Sequence, residues 1–287
     1  MTSNNDRTRR LAIFGDPVRQ SRSPGMYNAL FERTGLNARY DAVLVRADEL
    51  PAALATIRRR ELSGVHLTCP HKEAALALMD ELTPAAAQAG AVNVAAWRGG
   101  RLVGDNTDGA GFVAALHKTF GPGVGRSAAL LGAGGSARAI AYALASDGFE
   151  QITVLNRTFS RAERLAATLA ELGVRARALP LSVAAFQAIS PSLDLVIDAT
   201  TPGPDNAVDL LPVDGLPRHA ICCDINYFRP DAPWIRRAAA AGLRTQGGLP
   251  MLAEQGALSL RLLLDLDVEG DQLAVLLSPM TSAPAAP

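Results

Sequence analysis

The chain has 287 residues, 48% of them hydrophobic, enough for two domains that each bury a core. Its 28 Lys and Arg balance 28 Asp and Glu, so no basic field is available for nucleic acid or an anionic membrane, and partners of that kind are not expected. Cys69, Cys222 and Cys223 and four scattered histidines show no metal-ligand spacing; no metal is expected, and the cytoplasm is the expected compartment.

Residues 1–10 (MTSNNDRTRR) are polar and read as a disordered leader. Short apolar runs then alternate with helical patterns: Leu11 to Phe14, a helix from Pro24 to Thr34, Ala42 to Val45, a helix from Pro51 to Arg59, and Val65 to Thr68. This alternation predicts an α/β domain with a mostly parallel sheet. A helix from Gly109 to Phe120 runs into the Gly/Pro-rich segment Gly121 to Gly125, which breaks the helix and reads as a domain seam. A second series follows: strand Ala128 to Leu131, helix Ser136 to Ser146, strand Ile152 to Leu155, helix Arg161 to Leu172 and strand Leu193 to Ala199. Its β-α-β order is that of a doubly wound, Rossmann-like dinucleotide domain. The stretch LPMLAEQGALSLRLLLDL after Gly247 is apolar nearly all round, as in a helix buried between domains, and is expected to return to the first domain. The expected organisation is therefore 11–108 with 249–277 as one domain, 109–248 as the nucleotide domain, and 278–287 as a disordered tail.

The segment GAGGSARA after Ala128 to Leu131 places Gly132, Ala133, Gly134, Gly135, Ser136 and Ala137 between a strand and a helix start. Glycines there let the backbone approach a pyrophosphate held on the free N–H groups of the helix. At the end of the next strand, where an NAD domain offers a carboxylate, this chain has Asn156, Arg157 and Thr158, with Arg161 a turn later. Guanidinium groups and a hydroxyl suit a 2′-phosphate, so NADP is the expected cofactor. The plainer reading of both arginines is solvated surface charge.

Polar clusters fall at strand ends in the first half. GxPxxxSxSP at Gly15 to Pro24, TxPxK at Thr68 to Lys72, GAVN at Gly90 to Asn93 and NTDxxGF at Asn106 to Phe112 occur in order with the glycine turn, NRTxxRA at Asn156 to Ala162 and MLxxQGA at Met251 to Ala257. Together they resemble the shikimate dehydrogenase family over roughly residues 11 to 260. The resemblance implies a substrate domain and an NADP domain with the active-site cleft between them, and a carboxylated polyhydroxy ring whose hydroxyl is oxidised as hydride passes to NADP. Such a step needs a group to take up the hydroxyl proton, and Lys72 and Asp108 occupy the family's catalytic positions. It further implies Ser21, Ser23 and Tyr227 for the substrate carboxylate, and Asn93, Asn106, Gln255 and Thr68 for the ring. Thr200 and Gly248 join the cofactor set.

The plainer alternatives are a turn or helix cap for Ser21 and Ser23, turn residues for Asn93 and Asn106, and an N-cap for Asp108. Three positions depart from the family pattern: His66 replaces an asparagine that points at the substrate, Tyr27 a histidine, and Val94 a threonine. His66 is therefore either a substrate-facing group or a strand residue satisfied locally. Shikimate, within aromatic amino acid biosynthesis, is the expected substrate; quinate or another analogue is the alternative, and a fold that has lost its chemistry a third reading. The chain is expected to act as a monomer or a homodimer.

Overall fold

The computed structural model describes residues 8–201, 207–229 and 232–277. The expected leader as far as residue 7 and the tail 278–287 lie outside these. The chain divides into two compact units, one reaching Gly111 and resuming at Leu252, the other spanning Phe112–Met251.

The first unit opens with β1 (Arg9–Gly15), α1 (Ser23–Thr34), β2 (Ala38–Leu44), α2 (Leu50–Arg58), β3 (Gly64–Leu67), α3 (His71–Ala74), β4 (Glu81–Leu82), α4 (Pro84–Ala89), β5 (Val94–Arg98) and β6 (Arg101–Asp105). Strand β1 starts two residues inside the expected leader, because Arg9 and Arg10 already pair with Ala38 and Arg39 of β2. The sheet order is β2-β1-β3-β5-β6-β4. Pairing is parallel except for β3 with β5 and β5 with β6. The β5–β6 hairpin turns on Gly99 and Gly100 at φ 56° and 84°, the positive angles that a tight two-residue hairpin loop demands. Helix α1 begins with proline in its first turn and ends at Gly35 in the left-handed conformation, the usual asymmetry of helix ends. Alternate residues Ala12, Phe14, Val65 and Leu67 face one core with Leu50, Leu54 and Ile57 of α2.

Helix α5 (Asp108–Phe120) contains the boundary between units, as does α10 (Gly248–Leu264) on the return; α11 (Gly270–Leu277) closes the first unit. The division falls within α5, after Gly111, and Gly121–Gly125 lies in the second unit. The reason is local. The first turn of α5 is held by the first unit, where Gly111 lies so close to Gln255 that an added Cβ would sit 2.5 Å from the Gln255 backbone nitrogen.

The second unit comprises β7 (Ser127–Leu131), α6 (Gly135–Ser146), β8 (Gln151–Asn156), α7 (Phe159–Glu171), β9 (Arg175–Pro180), α8 (Val183–Gln187), β10 (Leu195–Asp198), β11 (Ile221–Asp224), α9 (Pro233–Ala240) and β12 (Arg244–Gln246). Its sheet is parallel throughout, in the order β12-β11-β10-β7-β8-β9, the dinucleotide-binding arrangement with its switch point between β7 and β10. Both faces are covered. Ala128, Leu130, Ile152, Val154, Leu195 and Ile197 enter one core, and Ala129, Leu131, Leu155 and Val196 the other, so the central strands are apolar on both sides.

Candidate active site

In the first unit the polar clusters collect at one edge of the sheet. Ser21 and Ser23 follow β1, Thr68 and Lys72 follow β3, Asn93 precedes the antiparallel β5, and Asp108 follows β6. All of these are the carboxyl ends of the parallel strands or their antiparallel equivalent, where open α/β sheets hold ligands. Lys72 is fixed by its surroundings: the Val92 N–H donates to its carbonyl at 2.8 Å, and the ring of neighbouring His71, buried, bonds the Val45 carbonyl at 2.7 Å. Asp108 is the first residue of α5, where the positive end of the helix dipole favours a carboxylate. Lys72 Nζ donates to Asp108 Oδ2 at 2.5 Å, with the lysine side chain 18% exposed and the aspartate 6%. Asn93 Nδ2 donates to the other oxygen, Asp108 Oδ1, at 2.8 Å.

Behind the pair lies a buried polar network. Asn93 Nδ2 also reaches Thr107 Oγ1 at 2.9 Å and Gln255 Oε1 at 3.3 Å, while Asn93 Oδ1 accepts from the Thr107 N–H at 2.9 Å. Thr107 Oγ1 lies 2.9 Å from Ser259 Oγ and 3.4 Å from Gln255 Oε1. Thr107 and Ser259 were not among the expected site residues, although Thr107 is a fixed position of the NTDxxGF motif; no motif contains Ser259. Asn106 Oδ1 accepts from the Asp108 N–H at 3.0 Å, and its Nδ2 donates to the Ala91 carbonyl at 2.9 Å. Its amide thus braces the entry to α5, the turn role common for asparagine. Ser23 is buried at the start of α1, and its N–H donates to Ser21 Oγ at 3.3 Å. Thr68 lies against Gly15, where a Cβ would strike the threonine methyl.

His66 does not present a polar edge to a ligand. Its ring is buried, with Tyr40 Oη 2.8 Å from Nδ1 and Tyr27 Oη 3.4 Å from Nε2. Burial lowers its pKa to about 3, the Asp108 carboxylate pulling the other way and Lys72 adding to the lowering, so the ring is neutral at physiological pH. Both nitrogens thus face tyrosines distant in sequence, as they would in a strand residue satisfied within the fold.

In the second unit Gly132 follows β7 at φ +109°, and a Cβ there would meet the Ala199 carbonyl at 2.8 Å. The switch point between β7 and β10 is thus narrowed to backbone against backbone, which only glycine allows. Gly134 precedes α6 with nothing within 4 Å of a Cβ, and no side chain caps the helix. This leaves an open approach to the helix N–H groups, from Gly135 through Ser136 and Ala137, as a pyrophosphate requires. Asn156 Nδ2 donates to the Thr158 carbonyl at 2.8 Å, folding the turn that carries Arg157. Arg157 is exposed, Arg161 half-buried.

Thr200 donates from its hydroxyl to Asp198 Oδ1 at 2.6 Å. Gly248 packs its α-carbon against the Ile225 carbonyl, so its lack of a side chain is explained by packing. Tyr227, in the second unit, lies against Phe228 with ring centroids 4.2 Å apart. Asp198 and Asp224 are register partners on β10 and β11, both buried. Burial and then the Asp198 charge raise the Asp224 pKa to about 7.

The fold and these two sets of residues define a nucleotide-dependent oxidoreductase with a separate unit for its substrate. Residues 13–95 match the family model of the shikimate dehydrogenase substrate binding domain, and residues 115–204 that of shikimate / quinate 5-dehydrogenase. The chain is 41% identical over 252 residues to the NADP-dependent shikimate dehydrogenase of Symbiobacterium thermophilum, covering 86% of each chain. Among solved structures it resembles the Thermus thermophilus shikimate 5-dehydrogenase in complex with NADP(H) and shikimate, at 38% identity and a TM-score of 0.80, covering 94% of this chain and 99% of that one. It also resembles the ligand-free 5-ketofructose reductase of a Gluconobacter strain, at 31% identity and a TM-score of 0.81, covering 96% and 99%. The chain belongs to the shikimate dehydrogenase family.

Proposed function

We propose that the chain interconverts shikimate and 3-dehydroshikimate with NADP, and that Lys72 and Asp108 are its catalytic residues. The observation that carries this reading is the 2.5 Å Lys72–Asp108 contact braced by Asn93 at the carboxyl edge of the sheet. Asp108 has both oxygens engaged and is the less exposed partner. Lys72 is thus the group that meets the reacting hydroxyl, giving its proton to the ketone oxygen in reduction and taking it back in oxidation, while Asp108 orients the ammonium. Ser21 and Ser23, with Tyr227, receive the carboxylate; Asn93, Gln255 and Thr68 read the ring hydroxyls.

Gly132, Ala133, Gly134 and the start of α6 hold the pyrophosphate of NADP, with Thr200 and Gly248 beside them, and Asn156, Arg157, Thr158 and Arg161 hold the 2′-phosphate. Bound NADP supplies the hydride acceptor. The three cysteines are free and no helix among the described residues is long and apolar enough to cross a membrane; both agree with a cytoplasmic enzyme.

The test is absorbance at the nicotinamide band with shikimate and quinate, each offered with NADP and NAD. Shikimate with NADP is expected to give the highest kcat/KM, and Lys72→Ala to lower it by a factor on the order of 10²–10⁴. A preference for NAD, or for quinate, overturns the corresponding half of the proposal.

A further inference from the structure

Two of the positions where this chain departs from its family, Tyr27 and His66, touch each other, and a third aromatic residue completes the group. Tyr40 on β2, His66 on β3 and Tyr27 on α1 are 1%, 4% and 0% exposed. The Tyr27 ring stacks on Tyr40 at 4.7 Å and on His66 at 5.5 Å between centroids. Tyr27 donates its hydroxyl proton to the Gly256 carbonyl on α10 at 3.0 Å.

A phenol has one proton to give. With that proton on Gly256, the Tyr27 oxygen can only accept from His66 Nε2, so Nε2 carries the single proton of the neutral ring. Nδ1 is then an acceptor, and the Tyr40 hydroxyl 2.8 Å away donates to it. The direction of every bond is set: Tyr40 to His66, His66 to Tyr27, Tyr27 to Gly256. Gly256 is suited to its place, since a Cβ would lie 3.0 Å from the Tyr27 hydroxyl. The next residue back is Gln255, whose side chain meets Asn93 and Thr107 behind the Lys72–Asp108 pair.

We propose that Tyr40, His66 and Tyr27 form a one-way relay of neutral hydrogen bonds that anchors α10 and so sets the position of Gln255. His66 and Tyr27 are in that case positioning residues that govern how tightly the ring hydroxyls are read, without touching the substrate. The identity of that substrate rests on the function proposed above; the relay itself does not.

The relay is tested first without substrate. At pH 7 the His66 ring ¹⁵N signals are expected to show the Nε2–H tautomer in the wild type and a loss of that preference in Tyr27→Phe. The side-chain amide signal of Gln255 is expected to move in Tyr27→Phe and in His66→Leu, although neither residue touches it. A protonated ring, an Nδ1–H tautomer or an unmoved Gln255 amide overturns the proposal.

Kinetics supply a second arm. Losing the Tyr27 hydroxyl, and with it the bonds to His66 and Gly256, predicts a KM for shikimate about fivefold higher in Tyr27→Phe, with kcat and the KM for NADP within about twofold. His66→Asn, which keeps a donor and an acceptor, is expected to lose less than His66→Leu. Tyr27→Phe combined with Tyr40→Phe is expected to fall short of the product of the single effects, since both break one chain; a full product, or a loss in kcat alone, counts against the relay. If the wild type fails to turn over shikimate, the functional proposal falls while the two signals still decide the relay.

Discussion

Thr107 bears no charge and precedes Asp108 by one position, yet its hydroxyl joins Asn93, Gln255 and Ser259. Thr107→Val keeps the shape and removes one hydrogen-bond partner from each of them. A loss of about 1–3 kcal/mol in stability is expected from buried groups that lose a partner, measured by urea unfolding, together with a lower kcat as Asn93 loosens around Asp108. Such a hub is invisible in the sequence, because Ser259 is 152 positions away and only the fold makes them neighbours. The partners of His66 are hidden for the same reason: Tyr27 and Tyr40 lie on other elements, 39 and 26 positions away. Asp224 offers a different test. Its pKa is raised from 3.8 to about 7, first by burial and then by Asp198. Between those values the folded protein holds a proton the unfolded chain has released, so this group makes stability fall as pH rises from about 4 to about 7. Asp224→Asn removes the penalty. Its melting temperature relative to the wild type is expected to climb between pH 5 and pH 8, and a difference that shrinks over that range refutes the assignment.

Two glycines at the starts of helices show how elements are set by opposite requirements. At Gly111 a Cβ would sit 2.5 Å from the Gln255 nitrogen and 2.6 Å from its Cα, so α5 and α10 would have to part. Gly111→Ala is expected to destabilise by about 1–3 kcal/mol, the range for overpacking, and to raise the KM for substrate. At Gly134 nothing lies within 4 Å and φ is −84°. Gly134→Ala should therefore melt with the wild type while its methyl obstructs the pyrophosphate, raising the KM for NADP; an unchanged KM means the cradle lies elsewhere. The motif GAGGSARA and the β-α alternation made the nucleotide half legible, since strands buried on both faces announce themselves as apolar runs. The β5–β6 hairpin was not read. Its first strand begins with Val94, Ala95 and Ala96, which lack the polar alternation of a half-exposed strand, although the Gly99–Gly100 pair was available as a turn signal.

For the whole molecule, a ligand that binds only the folded state raises its stability in proportion to the logarithm of its concentration over Kd. NADP at a hundred times its Kd is expected to add about 2.7 kcal/mol, and NAD at the same concentration less. Paired replacement of Arg157 and Arg161 by alanine is expected to erase that difference. A thermal shift equal for both cofactors in the wild type would remove the 2′-phosphate site.

The discontinuity of the first unit also imposes an order on its synthesis. Residues 112–251 are interposed between Gly111 and Leu252, so at ribosomal rates of about 5–20 residues per second α10 follows β6 by on the order of ten seconds. During that interval Lys72 and Asp108 already exist on the nascent chain, whereas the Gly256 carbonyl and the Ser259 hydroxyl do not. The second sheet can fold while the first waits with Tyr27 and Thr107 lacking their final partners. A chain stalled near residue 251 would carry Lys72 and Asp108 without Gln255 and Ser259, which complete the polar network behind them.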